Sequence, residues 1–232
     1  MISMDKEKIV LPPLKWVGGK RKIIEIIQSA AENIEKPFSF YEPFFGGGAI
    51  FFSLYSKGLL ENAYLNDVVP QIVNFYNTLS DEKARNGIKE EVKRIENKFN
   101  KLNSNVDERK KEYIKFRENF NDRWEKFVLE NKNSKKIDEE QITLAAHFLG
   151  LNKLGFNGMF RVNSKGRFNI PMGSPVEKKL FDEDNLDAAG DALSKVNFTC
   201  NDYSNVKPFR GRVNKKNLIF LDPPYIPNSR TA

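Results

Sequence analysis

The segment from Phe38 to Phe52 restricts the possible folds of this chain more than any other. Phe38-Ser39-Phe40-Tyr41 reads as a strand, Gly46-Gly47-Gly48 as a turn, and a helix over 48–57 is expected to follow. Glycines admit positive φ and let a backbone approach a ligand closely. A helix that starts where a strand ends is a common place for a nucleotide. The spacing is not the GxGxxG of dinucleotide folds, which argues against a nicotinamide cofactor. Ala63-Tyr64-Leu65-Asn66 reads as a second strand and ends in Asp67. That carboxylate has two readings: it can take the two hydroxyls of a ribose, or it can cap the helix expected over 68–79.

Near the other end, the apolar run Leu218-Ile219-Phe220-Leu221 stops abruptly at Asp222-Pro223-Pro224-Tyr225. A short apolar run with a polar stop reads as a buried parallel strand that ends at a site. Two prolines fix φ twice and remove two backbone donors, while their carbonyls remain free to accept. A carboxylate, a stiff turn with an exposed carbonyl and an aromatic face therefore lie within four residues. Such a set suits holding a planar base by its amino group while stacking on its ring. The plainer alternative is a strand end with a tight turn.

Further helices are expected over 20–33, 137–154 and 184–195, with strands over 196–200 and 217–221. Strands alternating with helices imply an α/β fold with a mainly parallel sheet. Between Ser80 and Lys136 the composition shifts to Lys, Glu, Asn and Arg. Tyr113, Phe116, Phe120, Trp124 and Phe127 recur there at three- and four-residue spacing, as in a helical module with a small satellite core. His147, between Ala146 and Phe148, reads as a packed structural residue. Gly155 to Gly173 is rich in Gly and Asn with alternating apolar positions, which predicts a loop and a β-hairpin.

The chain has 232 residues, with 38 Lys+Arg against 31 Asp+Glu and a formal charge of +7. A pI near 9.3 fits a polyanionic partner. Cys200 is the single cysteine, so an internal disulfide is excluded and a reducing cytoplasm is expected. One His and one Cys give no basis for a His/Cys metal site, and no metal is expected. No stretch reaches the roughly 20 apolar residues of a membrane span, and Met1 to Val10 lacks a signal-peptide apolar region.

Five motifs occur in one order: Lys15-Trp16-Val17-Gly18-Gly19-Lys20, Glu42 to Gly48, Asn66-Asp67, the run Asn152 to Gly173, and Asp222 to Tyr225. In them the chain resembles the Dam-type DNA adenine-N6 methyltransferases, in the alpha arrangement of amino-methyltransferases. The resemblance implies a Rossmann-like sheet, S-adenosylmethionine as cofactor and double-stranded DNA as substrate, with the target adenine flipped out of the duplex. It assigns catalysis to Asp222, Pro223, Pro224 and Tyr225. It assigns the cofactor to Trp16, Lys20, Phe44, Gly46, Gly48, Asp67 and Asp222, with Asp202 as a looser match near the cofactor's adenine. Asp202 also reads as a plain turn carboxylate. DNA contacts fall on Lys15, Phe156, Asn157, Met159, Arg161, Lys165 and Pro171. By the same resemblance Lys15 and Arg161 each contact a guanine and Phe156 wedges into the opened duplex; core packing is the alternative for Phe156. Lys165, Arg167, Arg210, Arg212, Lys215 and Lys216 are expected phosphate contacts.

The implied organisation is a cofactor-binding catalytic domain of 1–79 with 185–232, and a target-reading helical region of 80–184 with its hairpin at 156–171. Members of the family continue beyond the Asp-Pro-Pro-Tyr turn to complete a seven-stranded sheet, whereas this sequence stops at Ala232. A partial record, a truncated chain and a second chain carrying the remaining strands are three explanations. The resemblance suggests GATC as the site and a cognate restriction endonuclease as a companion. Two other readings remain open: methylation of cytosine N4 or RNA adenine, and a catalytically incomplete DNA-binding fragment.

Overall fold

The computed structural model describes residues 9–16, 21–102, 104–130, 137–174, 179–206 and 217–224. Its centre is a parallel sheet formed by β1 (Phe38–Glu42), β2 (Leu60–Asn66), β3 (Asn197–Thr199) and β4 (Asn217–Ile219), in the order β3-β2-β1-β4. Along β1, Phe38, Phe40 and Glu42 are buried while Ser39 and Tyr41 are half-buried, the period-two pattern of a strand. β3 is shorter than the 196–200 expected. β4 ends at Ile219, although the Phe220 amide still donates to the Tyr41 carbonyl at 2.9 Å. The chain leaves β1 towards β2 on one side, and β4 lies on the other. β1 is therefore a topological switch point, where open α/β sheets form a crevice beyond the strand ends.

The helices are α1 (Arg21–Glu32), α2 (Ala49–Ser56), α3 (Pro70–Ser80), α4 (Glu82–Lys101), α5 (Val106–Glu130), α6 (Glu139–Leu154) and α7 (Glu183–Leu193). Their starts follow local chemistry. Pro70 occupies the first turn of α3, where its missing N–H is not needed. The side chains of Asp81 and Asp182 accept from the amides of Ala84 and Asn185, and Asp138 with Gln141 forms a reciprocal capping box at α6. α2 buries Ile50, Phe51, Phe52 and Leu54 against the sheet.

One contiguous core runs through the described residues. Its sheet end holds Phe38, Phe40 and Phe75. Phe75 lies 6.3 Å from Phe148 of α6, and Phe148 lies 6.3 Å from Phe120 of α5. Tyr113, Phe120 and Trp124 thus belong to the main core, and the satellite core expected for them is not formed. Periodicity identified the buried stripe of α5 but not its partner. His147 is packed as expected, with Nε2 3.5 Å from Glu91 Oε1 and its ring 4.8 Å from Phe116. Burial holds its pKa below the usual histidine value, opposed by the Glu91 carboxylate. Among the described residues no helix is long and apolar enough to cross a membrane.

The 155–173 segment departs from a regular hairpin. A short 3-10 turn, Phe156–Gly158, opens it, and cross-strand pairing is limited to Gly155 with Met172 and Val162 with Phe168. Asn157 takes φ 53° and Gly158 φ 65°. At Gly158 a Cβ would lie 2.3 Å from the Lys15 Cβ, so only glycine lets the N-terminal segment pass beneath this turn.

Candidate active site

The crevice at the switch point is built from three strand ends. Glu42 ends β1, Asp67 follows β2, and Asp222 follows β4. All three line one cavity of about 290 Å³, together with the Phe44–Gly48 loop and Trp16. No Lys, Arg or His is among the described residues lining it. Three acidic side chains thus converge on one crevice beyond the strand ends.

Asn66 ties the strand ends together. Its Nδ2 donates to the carbonyls of Pro43 (3.1 Å) and Asn201 (2.9 Å), and its Oδ1 accepts from Thr199 Oγ1 (2.8 Å) and the Asn201 amide (3.0 Å). Asp67 does the same for the loop. Oδ2 accepts from the Gly46 amide at 2.8 Å and Oδ1 from the Val69 amide at 2.9 Å, so it anchors both the glycine turn and the approach to α3. Burial pushes its pKa above the usual carboxylate value, and the amides of Val69, Gly46 and Val68 oppose the rise. The helix-cap reading is not borne out: α3 begins at Pro70 with Val69 as its N-cap and no side-chain cap, so Asp67 closes the turn before the helix and the ligand reading stands beside that role. From α3, the buried Tyr76 hydroxyl donates to the Gly47 carbonyl at 3.1 Å.

The glycines are demanded by the protein's own packing. A Cβ at Gly46 would lie 2.6 Å from Trp16 Nε1, one at Gly47 2.8 Å from Trp16 Cβ, and one at Gly48 2.2 Å from the Phe45 ring. Gly46 and Gly48 also have φ of 52° and 72°. The close approach inferred for a ligand is at these atoms an approach to Trp16 and Phe45.

A second cavity of about 460 Å³ adjoins the first and shares Phe44, Val68, Pro223 and Pro224 with it. Asn201, Asp202 and Tyr203 line its far side, and the Phe44 and Tyr203 rings lie 5.3 Å apart. Asp202 accepts from the Ser204 amide at 2.9 Å and pairs with the Ser204 hydroxyl, which lowers its pKa. It is a turn carboxylate that also faces a cavity. The two cavities form a trough with the Pro223-Pro224 turn as its shared wall. Lys20 and Tyr225 lie outside the described residues.

The residues expected to read DNA gather on one side. Asn152 receives the Lys15 amide at 2.8 Å and donates to the carbonyls of Lys15 (2.8 Å) and Gly158 (3.0 Å), fastening the N-terminal segment to the hairpin stem. Phe156 is 49% exposed, which sets aside core packing for it. Asn157, Arg161, Lys165 and Pro171 are exposed and Met159 is half-buried. Arg161 Nε donates to Asn169 Oδ1 at 2.8 Å. Lys165 sits at the turn, its amide held by Asn163 Oδ1. The Pro171 carbonyl accepts from the Phe156 amide at 2.9 Å. Arg167 is a correction. Its guanidinium pairs with Glu118, Asp122 and Glu125 of α5 and is not displayed for a phosphate. Arg210, Arg212, Lys215 and Lys216 lie outside the described residues.

With this geometry in hand, residues 16–232 match the family of D12 class N6 adenine-specific DNA methyltransferases. The chain belongs to that family. It is 33% identical over 229 residues to a type II methyltransferase of Methanocaldococcus jannaschii, covering 96% of this chain and 72% of the relative. It is 32% identical over 219 residues to a DNA adenine methylase of Vibrio cholerae, covering 94% and 66%. A type II methyltransferase of Lactococcus lactis is 29% identical over 244 residues, covering 100% and 72%. The chain thus spans about two thirds to three quarters of the length of these relatives. Within the D12 class assignment, the mixed α/β fold expected from the sequence stands. In the sequence Asn66, Asn152, Lys153 and Glu42 are parts of motifs without a role of their own, and Tyr76 stands in no motif. The available signal was a polar residue inside a buried apolar setting, as at Glu42 within Phe38 to Phe45.

Proposed function

We propose that the trough binds S-adenosylmethionine and receives a flipped-out adenine of double-stranded DNA, whose amino nitrogen this chain prepares for methylation. The observation that carries the reading is Asp222, brought by the sheet order into the same cavity as Asp67 and the glycine loop. When bound, the cofactor supplies a methyl group already activated on a sulfonium. The three acidic side chains that line the cavity suit that cation. Asp67 offers its remaining lone pairs to the ribose, and the second cavity with Phe44, Asp202 and Tyr203 suits the cofactor's adenine ring. Trp16 and Gly46 to Gly48 form the wall nearest the glycine turn, and Lys20 keeps the cofactor role that the resemblance gives it.

Asp222 and the Pro223 carbonyl accept the two hydrogens of the target amino group. That pull moves the nitrogen towards tetrahedral geometry and turns its lone pair out of the ring plane. Pro224 stiffens the turn and Tyr225 stacks on the base. Flipping costs a few kcal/mol, met by contacts from Lys15, Phe156, Asn157, Met159, Arg161, Lys165 and Pro171. In this reading 1–79 with 185–232 hold the cofactor, and 80–184 read the target. GATC is the first sequence to test. Two relatives named type II methyltransferases make a companion restriction endonuclease, and hence a cytoplasmic setting, part of the proposal.

The test is transfer of labelled methyl from S-adenosylmethionine to duplex DNA, followed by digestion to nucleosides. Label in N6-methyladenine is expected. Asp222→Ala should abolish transfer while calorimetry still detects cofactor binding. Label in N4-methylcytosine or in RNA alone, or near-normal turnover by Asp222→Ala, would defeat the reading. DNA binding without any transfer would favour the binding-fragment alternative.

A further inference from the structure

We infer that Arg167 is a positioning residue for target recognition, through which α5 holds the 156–171 hairpin in its reading geometry. The inference rests on the hairpin being the DNA-reading element. Along α5 the positions 113, 117, 118, 121, 122 and 125 form one stripe, and every one of them touches the second arm of the hairpin or the guanidinium that extends from it. The Tyr113 hydroxyl donates to the Ile170 carbonyl at 3.1 Å, and Arg117 Nη1 to the same oxygen at 3.4 Å. Asn121 Oδ1 accepts from the Phe168 amide at 2.8 Å while its Nδ2 donates to the Phe168 carbonyl at 3.1 Å. One carboxamide thus does the work of a neighbouring strand on the outer edge of the second arm, whose inner edge pairs with the first arm through the Asn163 and Asn169 amides and the Arg167 and Arg161 carbonyls.

Arg167 completes the attachment at the end nearest the turn. Nη1 donates to Glu125 Oε2 at 2.9 Å, and Nη2 to Asp122 Oδ1 at 2.7 Å and Glu118 Oε2 at 3.0 Å. Glu118 is shared with Arg117 through its other oxygen. Two guanidiniums against three carboxylates leave this cluster with no positive charge to spare, so Arg167 is neutralised from within the fold. The constraint passes to the reading side over two residues. Asn169 follows Phe168, donates its amide to the Arg161 carbonyl at 3.1 Å and accepts from Arg161 Nε at 2.8 Å. Arg167 therefore acts on sequence through Arg161 and does not itself meet DNA.

The experiment treats unmethylated plasmid DNA with the full-length protein and S-adenosylmethionine. Sequencing then counts methylated adenines at the preferred site and at each singly substituted site. Arg167→Ala should lower that preference about tenfold at the base read by Arg161, within the worth of one good base contact. Turnover at saturating preferred duplex and the salt dependence of duplex binding should be unchanged. The isosteric set Glu118→Gln, Asp122→Asn, Glu125→Gln should do the same, and combining it with Arg167→Ala should add nothing. The exchange of Arg167→Glu with Asp122→Arg keeps the charge count and should restore the preference, which guards against a folding defect in Arg167→Ala. A phosphate contact predicts the opposite sign. Arg167→Ala would then weaken all duplexes alike with a salt slope lower by about one, and neutralising the carboxylates would tighten binding; either result overturns the inference. So does an unchanged preference in Arg167→Ala while Arg161→Ala loses it, an outcome that leaves the proposed function standing. A wild-type protein without site preference would overturn both.

Discussion

Lys153 is a cation that the fold holds at a loss. It lies in the last turn of α6, beside the Asn152 side chain that fixes Lys15. Burial and, secondarily, the Lys15 charge lower its pKa from 10.5 to about 8. At about 1.4 kcal/mol per pH unit, the charged amine is about 3 kcal/mol less favourable in the folded chain than in the unfolded one. Because the folded pKa is the lower, the unfolded chain holds a proton that the native protein sheds between pH 8 and 10.5. Stability from this group therefore rises with pH across that window, and below it the full cost is present. Lys153→Met should be more stable than wild type at pH 7 in urea unfolding, and its advantage should shrink by about 2 kcal/mol at pH 9.5. Comparing the two proteins at each pH removes the titration of other groups, such as Tyr113, whose pKa burial raises well above the usual tyrosine value. Lys15→Met should shift the wild-type window upward. An advantage of Lys153→Met that is the same at both pH values, or a loss of stability at pH 7, would refute the reasoning. A nucleic acid phosphate beside Lys15 would supply the missing counter-charge, so duplex affinity should fall as pH rises through about 8.

Asp67→Ala should weaken S-adenosylmethionine binding by roughly 1.5–3 kcal/mol in calorimetry, as for a lost charge-assisted hydrogen bond. It should also lower stability, since the Gly46 and Val69 amides lose their acceptor; a stability loss with unchanged affinity would leave Asp67 only the anchoring role. Arg161→Ala should cost about 1–3 kcal/mol of discrimination at one guanine, measured by binding the preferred duplex and singly substituted duplexes. Lys165→Ala should instead weaken all duplexes alike and lower the salt slope by about one; the reverse assignment would keep the hairpin and exchange their roles.

What could be read from the sequence was local. The period-two run at β1, the glycines after it and the polar stop at Asp222 each announce themselves within a few residues, and all three reach the crevice. The starts of α3 and α7 fall within two residues of the expected 68 and 184, where Pro70 and Asp182 act on their own first turns. What could not be read was the partner of a local pattern. The aromatic stripe of α5 carries no sign that it meets Phe148 and so joins the main core. Arg167 in Gly166-Arg167-Phe168 looks like any hairpin cation, and the carboxylates that claim it lie more than 40 residues away. The attachment of the hairpin to α5 was hidden for the same reason, since Asn121 takes the outward-facing amide and carbonyl of Phe168 from 47 residues away.

Trp16 shows how the two halves of the site are joined. Its ring covers Gly46 and Gly47 on one side, at distances that exclude any Cβ there. On the other it stacks with Phe160 at 6.0 Å and 22°. Phe160 precedes Arg161 and also packs 5.8 Å from Phe148 in the core. One side chain thus forms a wall of the crevice and a support of the hairpin's first arm. The neighbouring Lys15 is fixed to the hairpin stem through Asn152. A shift of the glycine loop large enough to displace Trp16 would be felt at the Phe160 stack, because close-packed side chains have no slack to absorb it. This is the physical reason for a Lys15-Trp16 pair so far in sequence from either partner: it belongs to no strand or helix, and its position is set from both sides at once.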